Sequence, residues 1–268
     1  MNQRLSTVLV GLLSAFFLIS ALMYVSNFGF KAPEPVSHAK KEMPKPQQWS
    51  FDGPLGTFDK QSIQRGYKVY KEVCSACHSM KLVAFRNLKG AGFSDAEIKA
   101  IAADYTYPSV GEDGSNVDRK GLPSDHFKSP FETKEAAAAA NGGAAPPDLS
   151  LMAKAREDGP NYIYSILTGY GKTPPSDLQV PSGKYFNPYY SGQVISMPQP
   201  LKENQVDFQD GTKATISQEA HDVVNFLQYT AEPEMELRKR MGLKVVVFLG
   251  IMTVFFYIAK LRIWARVH

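Results

Sequence analysis

Residues 74–78 read Cys74-Ser75-Ala76-Cys77-His78, which is the C-x-x-C-H pattern of covalent c-type haem attachment. Two thiols on one helical turn can form thioether bonds to the two vinyl groups of one haem, and the following imidazole can bind the iron. Cys74 and Cys77 are the only cysteines, so the four-ligand zinc site that such a motif could otherwise indicate is not supported. The sequence does not show the βαβ pattern of a thioredoxin-like motif. We therefore predict one covalently attached haem c.

The chain of 268 residues has an apolar run near each end. Residues 5–25 are interpreted as a signal peptide or a retained signal anchor, because a secretory core has about 7–15 apolar residues and a spanning helix about 20. Residues 245–259 predict a membrane-spanning helix, with Lys244 and Lys260 able to snorkel at its two ends. Covalent haem attachment implies assembly outside the cytoplasm. The haem should therefore face the periplasm at a bacterial inner membrane, or the mitochondrial intermembrane space, with the C-terminus cytoplasmic or in the matrix.

Four segments follow from this pattern. Residues 1–30 are the signal peptide or signal anchor, residues 31–50 a tether, residues 51–235 a haem domain, and residues 236–268 the C-terminal transmembrane helix with its flanks. Residues 45–236 hold 24 acidic and 19 basic side chains, a net charge of −5, although the whole chain carries +4. An acidic domain favours a basic partner through long-range attraction, or is an ordinary solvated surface.

The fold class is predicted to be mainly α, a cytochrome c-like haem domain with long loops. Apolar residues recur at helical spacing from Ile63 to Cys77, which places both thiols on the buried face of one helix. Further helices are expected at residues 94–103 (with a Ser94/Glu97 capping box), 135–141, 151–156, 161–168 and from Thr215 to Pro233. Residues 106–135 and 170–200 are expected to be loops, and a charged linker is expected before the membrane helix.

His78 leaves one axial position of the iron open, and Met197 is the leading candidate to fill it. Methionine ligation raises the potential and suits an electron carrier. Met197 stands in a loop that Pro198 and Pro200 stiffen, which would hold a thioether sulfur in place. It could equally be a packing methionine.

Three other side chains are weaker candidates. His221 falls on the polar side of its predicted helix. His126 lies in a predicted loop, where it could meet the iron, a haem propionate or solvent. Arg119 could pair a propionate bidentately, or be a surface arginine. An open sixth position would instead indicate a haem sensor or gas-binding protein.

Several short motifs occur in order between Trp49 and Trp264. They are Arg65-Gly66-Tyr67-x-Val69-Tyr70 before Cys74, Pro146-Pro147-Asp148-Leu149-Ser150, residues 162–170, Tyr185-Phe186-Asn187-Pro188-Tyr189, Met197-Pro198, Asp210-Gly211-Thr212, and Ala231-Glu232-Pro233-Glu234 continuing through residues 238–244. Together they resemble the cytochrome c1 family, the haem subunits of ubiquinol–cytochrome c oxidoreductase.

The resemblance implies that His78 and Met197 are the axial ligands and that Arg119 contacts a haem propionate. Pro146 and His126 are further expected haem contacts, although the family often has Tyr at the position of His126. The implied function is one-electron transfer from the Rieske iron–sulfur protein to a soluble or anchored cytochrome c, in a dimeric membrane complex with cytochrome b. The subunit would have no catalytic chemistry of its own and would bind no nucleic acid. The alternative function is a free membrane-anchored c-type cytochrome that feeds a terminal oxidase or reductase.

Overall fold

A computed structural model describes residues 19–20 and 42–265 of the chain. The chain divides into two compact units, Met1–Lys40 and Lys41–His268. The signal peptide or signal anchor predicted for residues 1–30 lies outside the described residues, apart from residues 19–20. Of the tether predicted for residues 31–50, residues 31–41 lie outside them as well.

Within residues 42–265 the structure contains six α-helices and two short antiparallel hairpins. The helices are α1 (Lys60–Val69), α2 (Asp95–Ala103), α3 (Lys134–Ala140), α4 (Gly159–Thr168), α5 (Ile216–Ala231) and α6 (Met235–Trp264). The hairpins pair β1 (Thr106–Val110) with β2 (Asn116–Lys120), and β3 (Tyr185–Phe186) with β4 (Val194–Ile195). A π-helical turn, Tyr70–Cys74, follows α1 directly, and a 3-10 helix covers Phe85–Lys89. The predicted mainly α fold with long loops is confirmed.

The core is built around α5, which packs against α1 and α4. Of its 16 residues 12 are buried, so α5 is a central helix rather than a surface helix with one apolar face. Gly66 lets α1 approach it closely, since a Cβ at this position would lie 1.9 Å from the carbonyl oxygen of Asp222. This contact explains the glycine in the motif that precedes the cysteines.

The helix boundaries follow local capping. Ser94 Oγ accepts a hydrogen bond from the backbone N–H of Glu97 (3.3 Å), and the Glu97 carboxylate accepts one from the backbone N–H of Ser94 (2.8 Å). The predicted capping box at the start of α2 is therefore confirmed. Thr215 caps α5 in the same way through the backbone N–H of Gln218 (3.2 Å), and Pro233 follows its end as predicted.

Four secondary-structure predictions are wrong. The expected loop over residues 170–200 contains the short β3–β4 hairpin. The expected loop over residues 106–135 contains the β1–β2 hairpin, which forms around a glycine-bearing turn although its second strand is almost entirely polar. Residues 151–156 form successive turns instead of a helix, with bonds such as Lys154 N to Leu151 O (3.0 Å). The predicted charged linker is the beginning of α6, since the helix resumes at Met235, two residues after Pro233.

Helix α6 is the one helix among residues 19–20 and 42–265 that is long and apolar enough to cross a membrane. Its most apolar 18-residue window has a mean hydropathy of 2.2, and none of that window is buried in the protein. At about 1.5 Å per residue, its length exceeds the roughly 30 Å of a bilayer core. The helix fits a membrane anchor.

The first two turns of α6 are bonded to residues 51–58. The carboxylate of Glu236 accepts a hydrogen bond from the backbone N–H of Phe58 (2.8 Å). Lys239 Nζ donates to the carbonyl oxygens of Phe51 (2.5 Å) and Gly56 (3.2 Å). The anchor helix is therefore attached to the core by specific bonds rather than by a free linker.

Candidate haem site

The C-x-x-C-H motif lies in a wide turn rather than in a regular α-helix. The backbone N–H of Ser75 donates to Tyr70 O (2.8 Å), which is the i to i+5 spacing of a π-helix. The N–H groups of Cys77 and His78 both donate to Cys74 O, at 3.2 and 2.9 Å. Turns of this kind are rare and are frequently found at functional sites. The predicted helix thus ends in a π-turn, and the two thiols remain one turn apart.

The two cysteines do not form a disulfide with each other. Cys74 is half-buried, and Cys77 is exposed. Burial, and then the proximity of Cys77, raises the pKa of the Cys74 thiol to about 12. The pair is thus one sheltered and one accessible sulfur on a single turn, which fits attachment to the two vinyl groups of a porphyrin edge.

His78 is oriented by a bond to the chain segment that follows α3. Its Nδ1 lies 2.8 Å from the carbonyl oxygen of Pro147. A carbonyl oxygen can only accept a hydrogen bond, so Nδ1 carries the proton and Nε2 keeps a free lone pair. Burial lowers the pKa of His78, while the bond to Pro147 acts in the opposite direction. A neutral imidazole with a bare Nε2 is the form that ligates a metal, so this side chain fits a haem iron.

Asp148 joins the residues that follow His78 to the segment that contains Pro147. Its carboxylate accepts hydrogen bonds from Ser79 Oγ (2.7 Å), the backbone N–H of Lys81 (2.9 Å) and the backbone N–H of Ser150 (2.9 Å). Burial raises the pKa of Asp148, but these bonds outweigh it and the pKa is lowered. From the sequence, Asp148 was placed in a family motif, and this role was missed. The Asp-x-Ser spacing, typical of an Asx-turn, is the signal that could have indicated it.

A cavity of about 380 Å³ opens beside the attachment turn. The residues that line it include Cys77, Pro146, Pro147, Phe131 and Ala137. The structure therefore brings Cys77 and the predicted haem contact Pro146 together around space next to an accessible thiol. This space and the donor set of the turn are consistent with a porphyrin bound through Cys74, Cys77 and His78.

Replacing Asp148 with Ala should destabilise the holoprotein by about 2 kcal/mol at pH 7, because three hydrogen bonds to a charged group are lost. A carboxylate whose pKa is depressed on folding stabilises above its unfolded pKa of about 3.9, and that contribution disappears as the pH falls through the folded value. The difference between Asp148→Ala and the unmodified protein should therefore shrink below about pH 4. Denaturant unfolding in detergent at several pH values measures this difference in the free energy of unfolding.

Asp113→Ala is the matched control. Asp113 makes the same Asp-x-Ser turn, with bonds from Ser115 N (3.0 Å) and Ser115 Oγ (2.6 Å), but at an exposed hairpin tip. Its substitution should cost much less. Equal losses at the two positions would contradict a clamping role for Asp148.

Met197 lies directly after the β3–β4 hairpin and is half-buried. Its side chain packs against a small cluster of Ile166, Tyr189 and Ile195. Tyr170 Oη donates a hydrogen bond to the carbonyl oxygen of Met197 (2.9 Å). The loop that carries the methionine is thus tied to the end of α4, a support that the sequence did not reveal.

Arg119 and His126 meet at the base of the β1–β2 hairpin. Arg119 donates two hydrogen bonds to the carboxylate of Asp125, at 2.5 and 2.8 Å, and lies 5.6 Å from the ring centroid of Tyr107. Tyr107 Oη donates to the backbone carbonyl oxygen of His126 (2.5 Å). His126 itself is exposed. The Arg119 pair, and then the backbone N–H of Leu122, lowers the pKa of Asp125 to about 2. A propionate would have to share Arg119 with Asp125, a partner that sequence reasoning missed.

The remaining alternative ligand, His221, lies in α5. Its ring stacks on Trp49 with the centroids 4.8 Å apart, and its Nδ1 lies 3.3 Å from the Asn225 amide nitrogen. The predicted site residues therefore fall into three local groups: the attachment turn with Pro146, the hairpin base with Arg119 and His126, and the loop of Met197.

Residues 49–267 match the model of the Cytochrome C1 family. The chain belongs to this family. It is 49% identical over 237 residues to a cytochrome c1 of Rhodospirillum rubrum, covering 82% of this chain and 87% of that protein. It is 45% identical over 249 residues to a "Cytochrome b/c1" of Bradyrhizobium diazoefficiens, covering 85% of this chain and 36% of that protein. It is 43% identical over 232 residues to a "Cytochrome b-c1 complex catalytic subunit, mitochondrial" of Candida albicans, covering 86% and 80% respectively.

Membership of the family confirms two predictions. The resemblance drawn from the ordered motifs was right, since the matched residues run over almost the same part of the chain, 49–267. As a member of the cytochrome c1 family, the chain is a haem protein and an electron carrier. The individual haem contacts stay predictions and are taken up below.

Proposed function

We propose that this chain is the electron-transfer subunit of a ubiquinol:cytochrome c oxidoreductase. It takes single electrons from the Rieske iron–sulfur protein and passes them to cytochrome c, within a dimeric membrane complex that contains cytochrome b. The names of two relatives support this assembly, since one joins cytochrome b and c1 and another is a subunit of the b-c1 complex. The acidic balance of residues 45–236 favours a basic electron acceptor.

The observation that carries the proposal is the orientation of His78. With its Nδ1 proton committed to Pro147 O, the imidazole keeps Nε2 available, and it directly follows the turn that carries Cys74 and Cys77. We assign Cys74 and Cys77 to the thioether bonds, and His78 and Met197 to the two axial positions. Haem bound in this way supplies a one-electron Fe(III)/Fe(II) couple, whose potential is set by the axial ligands and by burial.

Pro146, Arg119 and His126 are proposed to contact the edge of the haem. Pro146 is supported by its place in the lining of the cavity beside Cys77. Arg119 is supported by its fork geometry, which already binds one carboxylate, that of Asp125, bidentately. None of these residues has to transfer a proton, so the chain itself is proposed to perform no catalytic chemistry beyond electron transfer.

The proposed topology places the haem on the outer side of the membrane, in the periplasm or the intermembrane space. Covalent haem attachment outside the cytoplasm supports this side. Since α6 leaves the core directly at Met235, its far end with Lys260 and Arg262 would reach the cytoplasmic or matrix side. Basic residues flank both ends of the apolar run, with Arg238, Lys239, Arg240 and Lys244 before it and Lys260, Arg262 and Arg266 after it. The positive-inside tendency therefore does not choose a side, and the proposed orientation rests on the haem alone.

The test is purification of the full chain from its membrane in mild detergent. We expect the intact mass of the subunit to include one haem, and we expect cytochrome b and the Rieske protein to copurify. Quinol should reduce this haem in the isolated complex only when the Rieske protein is present, and added cytochrome c should reoxidise it. A stable haem-loaded monomer without these partners would instead support the free membrane-anchored cytochrome.

A further inference from the structure

The N-terminal brace, which we define as residues 42–49, has no regular secondary structure but is fixed to α4. The side-chain oxygen of Asn161 accepts two hydrogen bonds from it, from the backbone N–H of Gln47 (2.9 Å) and from Trp49 Nε1 (2.9 Å). The Trp49 side chain is 6% exposed and also stacks on Phe51 at 5.5 Å between centroids. The end of the brace that enters the core is therefore firmly held.

The other end of the brace reaches the loop that follows α4. The backbone N–H of Lys45 donates to Ser165 Oγ (2.7 Å), and Lys45 Nζ donates to Thr168 Oγ1 (3.2 Å). The backbone N–H of Glu42 donates to the carbonyl oxygen of Pro188 (2.8 Å). The brace thus joins the middle and end of α4 to the segment just after β3.

Tyr189 is the residue at which these contacts converge. Two ammonium groups lie near its ring: Lys45 Nζ is 5.5 Å and Lys172 Nζ is 5.0 Å from the ring centroid. Glu42 pairs with Lys172 at 2.7 Å, which keeps the second ammonium in place. Attraction between the cations and the ring face adds to the packing of a tyrosine that is only 4% exposed.

Tyr189 in turn supports the loop of Met197. Tyr189, Ile166 and Ile195 form one buried cluster, and the Met197 side chain packs on it. Asn187, which is fully buried, fixes the start of the same segment by donating to Ile166 O (2.8 Å). A continuous set of contacts therefore leads from the brace through Tyr189 to the methionine.

We propose that the brace positions Met197 for the haem iron by holding Tyr189 against the segment that carries the methionine. This inference rests on the proposed axial ligation by Met197. The brace acts through the position of the loop and contributes no ligand. Loss of its contacts lets the loop open more often, so that an external ligand displaces the thioether more easily.

The experiment compares a double variant, Glu42→Ala with Lys45→Ala, with the unmodified holoprotein. The matched control is Lys89→Ala with Asp95→Ala, which removes an exposed ion pair of 2.9 Å from the start of α2. Imidazole is titrated into the oxidised protein, and the near-infrared Met–Fe(III) charge-transfer band reports the methionine bond. We expect imidazole to bind about two- to fivefold more tightly in the brace variant, the size of effect that one partly exposed cation–π contact supports. The control should match the unmodified protein.

A second variant, Asn161→Ala, releases the brace at its other end and should shift imidazole binding in the same direction. Limited proteolysis tests release directly, since cleavage within residues 42–49 should be faster in both brace variants. Faster cleavage with unchanged imidazole affinity overturns the positioning role, and so does unchanged cleavage. A failure of the ligand assignment looks different: the unmodified protein would then lack the Met–Fe(III) band, or Met197→Leu would retain it.

Discussion

Replacing Met197 with Leu is expected to lower the reduction potential of the haem by roughly 0.2 V, a fraction of the range of about 0.8 V over which axial ligands tune haem proteins. The thioether favours Fe(II), and Leu has no donor atom to replace it. Because Leu and Met have similar volume, the contacts with Ile166 and Ile195 should largely persist. The substitution therefore separates ligation from packing. Potentiometric titration of the purified holoprotein measures the change.

Met152→Leu is the control for this prediction. Met152 is also half-buried and also packs against the core, but it lies in the turns that follow Asp148. Its replacement should leave the potential and the visible spectrum unchanged. The reduced Met197→Leu protein should in addition bind CO readily, since its sixth position is open. An unchanged potential together with weak CO binding would assign the sixth position to a different side chain.

Local patterns in the sequence were sufficient for the features that depend on neighbouring residues. The C-x-x-C-H motif and the Ser94/Glu97 capping box each involve fewer than six consecutive residues, and their chemistry does not depend on the rest of the fold. The membrane anchor was readable for a similar reason, since its apolar length is a property of one segment. These predictions needed no knowledge of which segments pair.

Features that depend on distant segments could not be derived in this way. The hydrogen bond between His78 and Pro147 O joins residues 69 positions apart. Neither local sequence indicates that the other segment is its partner. Asp125 lies only six positions after Arg119 and was overlooked for a different reason, since the turn at residues 122–125 that brings the two together was not predicted. The β1–β2 hairpin has few apolar residues, so the alternating pattern that normally indicates strands is missing.

Residues 42–49 illustrate the same limit. They belong to residues 31–50, whose Lys, Pro and Glu content predicted a tether, because polar segments without periodicity usually lack structure. In the structure, backbone N–H groups of this segment find side-chain oxygens on α4. Amino-acid composition does not predict hydrogen bonds from backbone N–H groups, since every residue except proline has such a donor.

Arg65→Met is expected to reduce the free energy of unfolding by about 3 kcal/mol, because removing one partner of a buried ion pair leaves an uncompensated charge. Arg65 donates to both carboxylate oxygens of Asp222, at 2.7 and 3.0 Å, and to Asp210 at 2.7 Å. The Asp222 side chain is completely buried in the contact between α1 and α5. Met keeps most of the aliphatic volume of Arg65. The decrease in the free energy of unfolding is therefore due to the lost charge rather than to a cavity.

The dependence of this loss on pH identifies its cause. Burial raises the pKa of Asp222, but hydrogen bonds from His221, Arg65, Ser62 and Gln218 outweigh it, so the pKa lies below its usual range. The stabilisation is therefore fully present above the unfolded pKa of about 3.9 and is lost as the pH falls through the folded value. Arg65→Met and the unmodified protein should converge in stability at acid pH. Denaturant unfolding of the detergent-solubilised holoprotein at pH 7 and at acid pH tests this.

Lys71→Met is the appropriate comparison, since the pair of Lys71 with Asp104 is equally short at 2.6 Å but its side chains are 39% and 57% exposed. An exposed pair contributes at most about 1 kcal/mol, so this variant should lose far less. Arg65→Lys should lie between the two, because an ammonium group restores the charge without the two-pronged geometry. If Arg65→Met costs no more than Lys71→Met, the α1–α5 contact depends on its apolar packing and not on the buried carboxylate. The close approach at Gly66 would then be the dominant link between α1 and α5.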